Sequence, residues 1–186
     1  MYILELLDVY ILIGFPPYIQ PTQQQAILYV NELLKHTTKK VVLYNNPSRT
    51  GFDLSAESLN DLITQHSNLL GLKEEGDINR HKNTSLPDDF IMFAGGDVNF
   101  TAKINNGCNG LSSMVGNVYP QEIKQAFNDL LINKPINLHK IDQLIDEVTH
   151  HQTIMNIKSH YNYLGMKVGT CRSPINTYNG TLVQHV

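Results

Sequence analysis

Short apolar runs and helix-spaced apolar positions alternate along this chain, and the alternation predicts its elements. Val9 to Phe15 reads as a strand stopped by Pro16-Pro17. From Thr22 to His36, the residues Ala26, Ile27, Val30, Leu33 and Leu34 recur at the spacing of one helix face. Lys40 to Tyr44 is the next strand, ended by Asn45-Asn46-Pro47. Ser55 then caps a helix with Leu59, Leu62 and Ile63 inward. Leu69 to Lys73 is the third strand, and a short helical stretch covers Ile78 to Asn83. Phe90 to Ala94 is the fourth, turned by Gly95-Gly96. A short helix over Asp97 to Asn105 and a fifth strand over Leu111 to Val115 follow. Gln121 to Ile132 completes the series as an amphipathic helix with Ile123, Ala126, Phe127, Leu130 and Leu131 inward.

Strands this short and continuously apolar, each followed by a helix, predict an α/β fold with a parallel sheet covered on both faces. Beyond Pro135 the strand pattern stops. Leu138, Ile141, Leu144, Ile145 and Val148 mark a longer helix, and Ile157 to Leu164 a second. The expected organisation is a β/α region over residues 1–135 and a helical segment with a polar tail over 136–186.

Charge narrows the partners. Fourteen Lys and Arg against seventeen Asp and Glu give a net charge of −3. The basic residues form no stripe, which argues against nucleic acid and anionic membrane surfaces. Met1 to Phe15 is apolar but carries Glu5 and Asp8 and lacks a basic leader region, so it reads as a strand and its approach. Cys108 and Cys171 stand outside any C-x-x-C spacing, as in a reduced, cytoplasmic protein. On that reading the sequon matches at Asn83, Asn99 and Asn179 carry no glycan. The eight histidines show no metal-ligand spacing, and no phosphate-binding glycine motif occurs, so neither a metal nor a cofactor is expected.

The chemistry begins at Lys73, which closes the run Leu69-Leu70-Gly71-Leu72 and precedes Glu74-Glu75-Gly76-Asp77. Burial disfavours an ammonium and favours the free amine, a nucleophile toward carbonyls. Leu70 and Leu72 are the neighbours expected to desolvate it. Tyr18, Tyr44, Lys73 and Gly95-Gly96 fall at or just past the C-terminal ends of consecutive strands, with Ser112-Ser113 inside the fifth. In a parallel α/β barrel that rim is where catalytic residues collect.

Longer motifs join these positions. Tyr44-Asn45-Asn46-Pro47-Ser48-Arg49-Thr50-Gly51 resembles the Y-N-x-P-S-R-T-G signature of the dihydrodipicolinate synthase/N-acetylneuraminate lyase family of Schiff-base aldolases. Gly71-Leu72-Lys73-Glu74 is similar to that family's G-[IVL]-K-[ED] strand end, and Pro16-Pro17-Tyr18-Ile19-Gln20-Pro21-Thr22-Gln23 to its aromatic loop. Ala94-Gly95-Gly96-Asp97 resembles the S-G-D-D turn. Gly107-Cys108-Asn109-Gly110-Leu111-Ser112-Ser113 with Asn117 and Pro120 resembles G-x-x-G-x-I-S-x-x-x-N-x-x-P, and Cys171-Arg172-Ser173-Pro174 the closing [LC]-R-x-P.

The resemblance implies part of a TIM (β/α)8 barrel, strands four to eight, followed by C-terminal helices. It implies that Lys73 forms an imine with pyruvate and that Tyr44 shuttles the protons. Tyr18 would extend the relay into a neighbouring subunit of a homo-oligomer. Arg49 would bind the carboxylate of the aldehyde co-substrate, and Gly95 and Ser112 would border the pyruvate end. Departures accompany these matches. A complete barrel of this type takes about 250 residues, and the first three βα units, with the family's G-T-T-G-E loop, have no counterpart in the 186 residues. Ser112 stands in place of an isoleucine and Gly96 in place of an aspartate. Pro17 replaces a tyrosine common in lysine-inhibited synthases, so feedback inhibition by lysine is not carried over. The leading expectation is a synthase condensing pyruvate with aspartate semialdehyde for lysine biosynthesis, which Arg49 favours. A lyase acting on N-acetylneuraminate or a 2-keto-3-deoxy sugar acid stays open, because the Cys171-Arg172-Ser173-Pro174 ending leans that way. An inactive fragment also stays open, because of the missing loop.

Overall fold

The computed structural model describes residues 7–82 and 84–175. The polar tail from Thr177 to Val186 and the sequon asparagines Asn83 and Asn179 lie outside the described residues, as does the start of the apolar N-terminal stretch. Five parallel strands form one sheet: β1 (Ile11–Gly14), β2 (Val41–Asn45), β3 (Leu69–Glu74), β4 (Ile91–Gly95) and β5 (Gly110–Ser112). Their spatial order is their chain order, with no reversal. A doubly wound sheet reverses at a switch point, whereas a barrel wall advances strand by strand.

Local chemistry accounts for the connections. Thr22 opens α1 (Gln23–Leu34) with a capping box, its hydroxyl accepting from the Gln25 N–H while the Gln25 side chain accepts from the Thr22 N–H. Pro47, which ends the apolar run of the second strand, starts a one-turn helix, α2 (Pro47–Thr50), and Gly51 closes it at φ 71°. Ser55 caps α3 (Ala56–Gln65). Asn31 of α1 bonds Gln65 and His66 at the end of α3. A 3-10 turn over Ile78–His81 follows β3, and α4 (Phe100–Asn105) follows β4.

The expectation of a sheet covered on both faces needs correcting. Ile13, Leu43, Leu72 and Met92 are register partners on one face and all are buried. Of the residues preceding them, Leu12, Val42 and Ile91 face the other way and are not buried, with Leu12 56% exposed, while Gly71 is buried. Crossovers of one hand without a reversal put every connecting helix on the same side. The apolar runs reflect strands that would fill a barrel interior on their second face.

The fifth strand is also shorter than its apolar run suggested, ending at Ser112 instead of Val115. The Ser113 hydroxyl accepts from the Gly116 N–H at 2.7 Å, and a 3-10 turn over Val115–Asn117 replaces the strand. The chain divides into two compact units between Ser112 and Ser113, while the change in sequence character falls at Pro135. The second unit holds α5 (Pro120–Leu131), α6 (Leu138–Thr149) and α7 (Thr153–Tyr163) around Val115, Ile123, Ala126, Ile141, Val148 and Met155. Phe127 and Leu130 are only half-buried and Leu131 is exposed, so the inner face of α5 is narrower than its apolar stripe. The Tyr119 hydroxyl donates to Glu147 at 2.7 Å; burial and that carboxylate push its pKa up to about 12.

Candidate active site

Parallel register sets the site. Gly14, Tyr44, Lys73 and Phe93 are partners across β1 to β4, so the side chains of Tyr44, Lys73 and Phe93 share the half-exposed face. The next row, Asn45, Glu74 and Ala94, turns to the helix-covered face and is completely buried. Adjacent residues at one strand end therefore serve opposite sides: Lys73 reaches the open face, and Glu74 is sealed behind it.

The Lys73 Nζ lies 4.5 Å from the centre of the Tyr44 ring and 3.5 Å from Glu75 Oε1. The Tyr44 hydroxyl donates to the same Glu75 oxygen at 3.4 Å and accepts from the Asn46 side-chain amide at 2.7 Å. The Lys73 and Glu75 side chains are 21% and 23% exposed, so the amine is sheltered yet reachable. Its shelter is not the one expected. Leu72 alternates to the covered face, and Leu70 sits where the β2–β3 register slips between Val41 and Val42. Tyr44 and Glu75 flank the amine instead.

Behind this pair a buried network ties the ends of β2 and β3 together. The Asn45 side-chain amide donates to Glu74 Oε1 at 2.9 Å and to Asp53 at 2.8 Å, while its oxygen accepts from the Leu54 N–H at 3.1 Å. Glu74 also accepts from the Gly76 N–H at 2.6 Å, and His81 Nε2 lies 2.9 Å from its other oxygen. Sequence reading missed this network, taking Asn45 as a strand end within a motif and His81 as one of eight histidines without metal-ligand spacing. A signal was present: of two consecutive charged residues at a strand end, one must face the covered side, and a buried carboxylate requires donors.

The other expected residues are distributed unevenly. Gly95 ends β4 and pairs with Ser112, the last residue of β5; the Gly96 N–H donates to the Ser112 carbonyl at 3.1 Å. Beside them opens a cleft of about 400 Å³, lined in part by Glu75, Gly76, Gly95, Gly96, Asp97 and Lys103. The Lys103 Nζ donates to the Gly95 carbonyl at 2.7 Å. Arg49 is exposed on α2, and Tyr18, at φ 69°, is 96% exposed after β1. The structure thus brings Tyr44, Lys73, Glu75 and Gly95 together and leaves Tyr18 and Arg49 out of hydrogen-bond contact with Lys73. Glu75 is the residue sequence reading passed over, although strand alternation from Lys73 points to it. Among the described residues no group of three His, Cys, Asp or Glu side chains could hold a metal ion, and no helix is long and apolar enough to cross a membrane.

An unreversed parallel sheet with helical connections and polar side chains gathered at its C-terminal rim is part of a (β/α)8 barrel. The chain belongs to the Dihydrodipicolinate synthetase family, whose profile matches residues 8–184. It is 31% identical over 134 residues to the 4-hydroxy-tetrahydrodipicolinate synthase of Porphyromonas gingivalis, covering 70% of this chain and 45% of that protein. It is 28% identical over 169 residues to the enzyme of the same name from Karelsulcia muelleri, covering 86% and 57%. The crystal structure of dihydrodipicolinate synthase from Aquifex aeolicus superposes with a TM-score of 0.80 at 22% identity, covering 90% of this chain and 59% of that one. The chain thus spans about half the length of the relatives it matches.

Proposed function

We propose that this chain carries the imine-forming wall of a 4-hydroxy-tetrahydrodipicolinate synthase-type lyase, which joins pyruvate to aspartate semialdehyde. The observation that supports it is the Tyr44–Lys73 pair, one register row with the amine 4.5 Å from the ring centre. The Lys73 amine attacks the pyruvate ketone, water leaves, and the resulting imine loses a methyl proton to give an enamine that adds to the aldehyde. Tyr44, its oxygen held by the Asn46 amide, moves protons during imine formation. Gly95 and Ser112 border the pyruvate end. Exposed Arg49 supplies a two-pronged donor for the aldehyde's carboxylate. Exposed Tyr18 serves a neighbouring copy in a homo-oligomer. No cofactor takes part.

Borohydride reduction with pyruvate, followed by peptide mass spectrometry, should add the pyruvate-derived mass at Lys73. A label on another lysine, or none, overturns the reading. Arg49→Ala should keep this trapping while weakening capture of the semialdehyde by about 2–5 kcal/mol. Aspartate semialdehyde added before borohydride should then deplete the adduct in the wild type and not in the variant. Depletion by a sugar-derived aldehyde, unaffected by Arg49→Ala, would move the assignment to the sugar-acid lyases.

A further inference from the structure

Glu75 is an acidic side chain at the site that the motifs do not account for, and its placement is specific. Its Oε1 lies 3.5 Å from the Lys73 Nζ and 3.4 Å from the Tyr44 hydroxyl, so a single oxygen serves both groups. The Asn46 amide donates to the Tyr44 oxygen at 2.7 Å, which leaves the phenol proton directed at Glu75. Hydrogen bonds made by an acid–base residue shorten as its substrate binds. The end of β4 is shaped around the same side chain. A Cβ on Gly95 would stand 2.6 Å from Glu75 Cδ, and one on Gly96 3.2 Å from Glu75 Oε2. Both positions lack the atoms that would displace the carboxylate.

We infer that Glu75 is the acid–base residue of the Lys73 site, passing protons between the Lys73 nitrogen and the Tyr44 hydroxyl. When the neutral amine attacks a carbonyl, the C–N bond forms and the C=O electron pair moves to oxygen. Glu75 takes one of the protons from the new ammonium, Tyr44 gives its proton to the alkoxide, and Glu75 returns a proton to Tyr44. A second proton, drawn from solvent along the same path, reaches the hydroxyl. That hydroxyl leaves as water while the nitrogen lone pair forms the C=N bond, giving the protonated imine. Amine, ketone and one proton become iminium and water, with no oxidant or reductant.

For pyruvate this inference rests on the proposed function, so its test uses two carbonyl probes. The full chain and its Glu75→Gln variant are incubated with pyruvate or with formaldehyde and quenched with borohydride at timed intervals. Lys73 and Lys103 adducts are read by peptide mass spectrometry from pH 5 to 9. General acid–base catalysis is worth about 100-fold or more. Glu75→Gln should therefore slow Lys73 adduct formation about 100-fold with either probe and flatten its pH profile, leaving Lys103 unchanged. Glu75→Asp should retain the pH profile at an intermediate rate, and it carries the comparison if the glutamine variant does not fold. Equal Lys73 rates in wild type and variant overturn the inference while leaving the imine reading intact. A Glu75-dependent Lys73 reaction with formaldehyde but none with pyruvate does the reverse. A wild-type Lys73 unreactive toward both overturns both.

Discussion

Truncating Glu74 to alanine is the sharpest test of what holds the rim in place. The side chain is fully buried, and its two oxygens receive the Asn45 amide, the Gly76 N–H and the His81 ring nitrogen. Alanine removes every acceptor and keeps every donor. Asn45 retains Asp53, but His81 loses the Nε2 partner it has among the described residues, where its Nδ1 already has none. A buried polar group left unsatisfied costs about 1–3 kcal/mol. With His81 fully orphaned and Asn45 and Gly76 partly so, Glu74→Ala should cost about 3–5 kcal/mol. That is a large share of the stability of a typical domain, about 5–15 kcal/mol. Glu74→Gln keeps the shape and one acceptor oxygen but turns an amide toward a donor, so about half that loss is expected. Urea unfolding followed by circular dichroism measures both, with the slope of free energy against urea confirming a comparable unfolded state. A loss below about 1 kcal/mol for Glu74→Ala at unchanged slope would refute the reasoning. So would equal losses for the two variants, since acceptor geometry would then be irrelevant.

Two further outcomes follow from packing. Gly71→Ala would place a Cβ 2.3 Å from the Ile91 carbonyl oxygen, forcing β3 from β4, and should cost about 3 kcal/mol in the same urea assay. Gly14→Ala, whose methyl would meet only Tyr44 at 3.8 Å, is the control and should stay within about 1 kcal/mol. Burial, more than any charge, pushes the Cys108 thiol up to about 11, so the native chain should be alkylated at Cys171 and spared at Cys108 until it unfolds. Because the folded thiol titrates above its ordinary value, its contribution to stability is intact below about pH 9 and is lost as the pH rises toward 11, which alkaline unfolding curves should show.

The order of elements was legible because each strand is a bounded apolar run and each helix carries a cap or a 3.6-residue stripe. Thr22 and Ser55 stand where their hydroxyls meet the first helical N–H groups, and both helices begin there. Two features were not legible, for different reasons. The strand over Leu111 to Val115 is apolar enough, but a local bond from Gly116 to the Ser113 hydroxyl competes with the ladder, and apolar counting cannot register it. The uncovered face of the sheet depends on strand order, which an apolar run does not encode. Leu12 reads like Ile13 in the sequence, yet one is exposed and the other buried.

At the candidate site, positions inside motifs could be picked out as candidates, and those created by register could not. Tyr44 and Lys73 announce themselves by lying at strand ends inside recognisable strings. Glu74 and Glu75 look like an ordinary acidic turn, and only the pairing of Tyr44 with Lys73 and Asn45 with Glu74 separates their roles. One departure does gain a physical reason from the structure. Where the family turn reads S-G-D-D, this chain has Gly96 in place of the first aspartate. A Cβ there would lie 3.2 Å from Glu75 Oε2, so an aspartate would set a second carboxylate against the first. Two carboxylates in one small space cannot both ionise without cost. An acid at position 96 and the acid at position 75 would thus compete for one space, and here the side chain of position 75 fills it, within reach of Lys73. On this argument Gly96→Asp should mimic Glu75→Gln in slowing Lys73 trapping, because a side chain at position 96 meets Glu75 Oε2 and would push the carboxylate away from Lys73. A Gly96→Asp chain that folds and traps pyruvate at the wild-type rate would show that the two positions are independent.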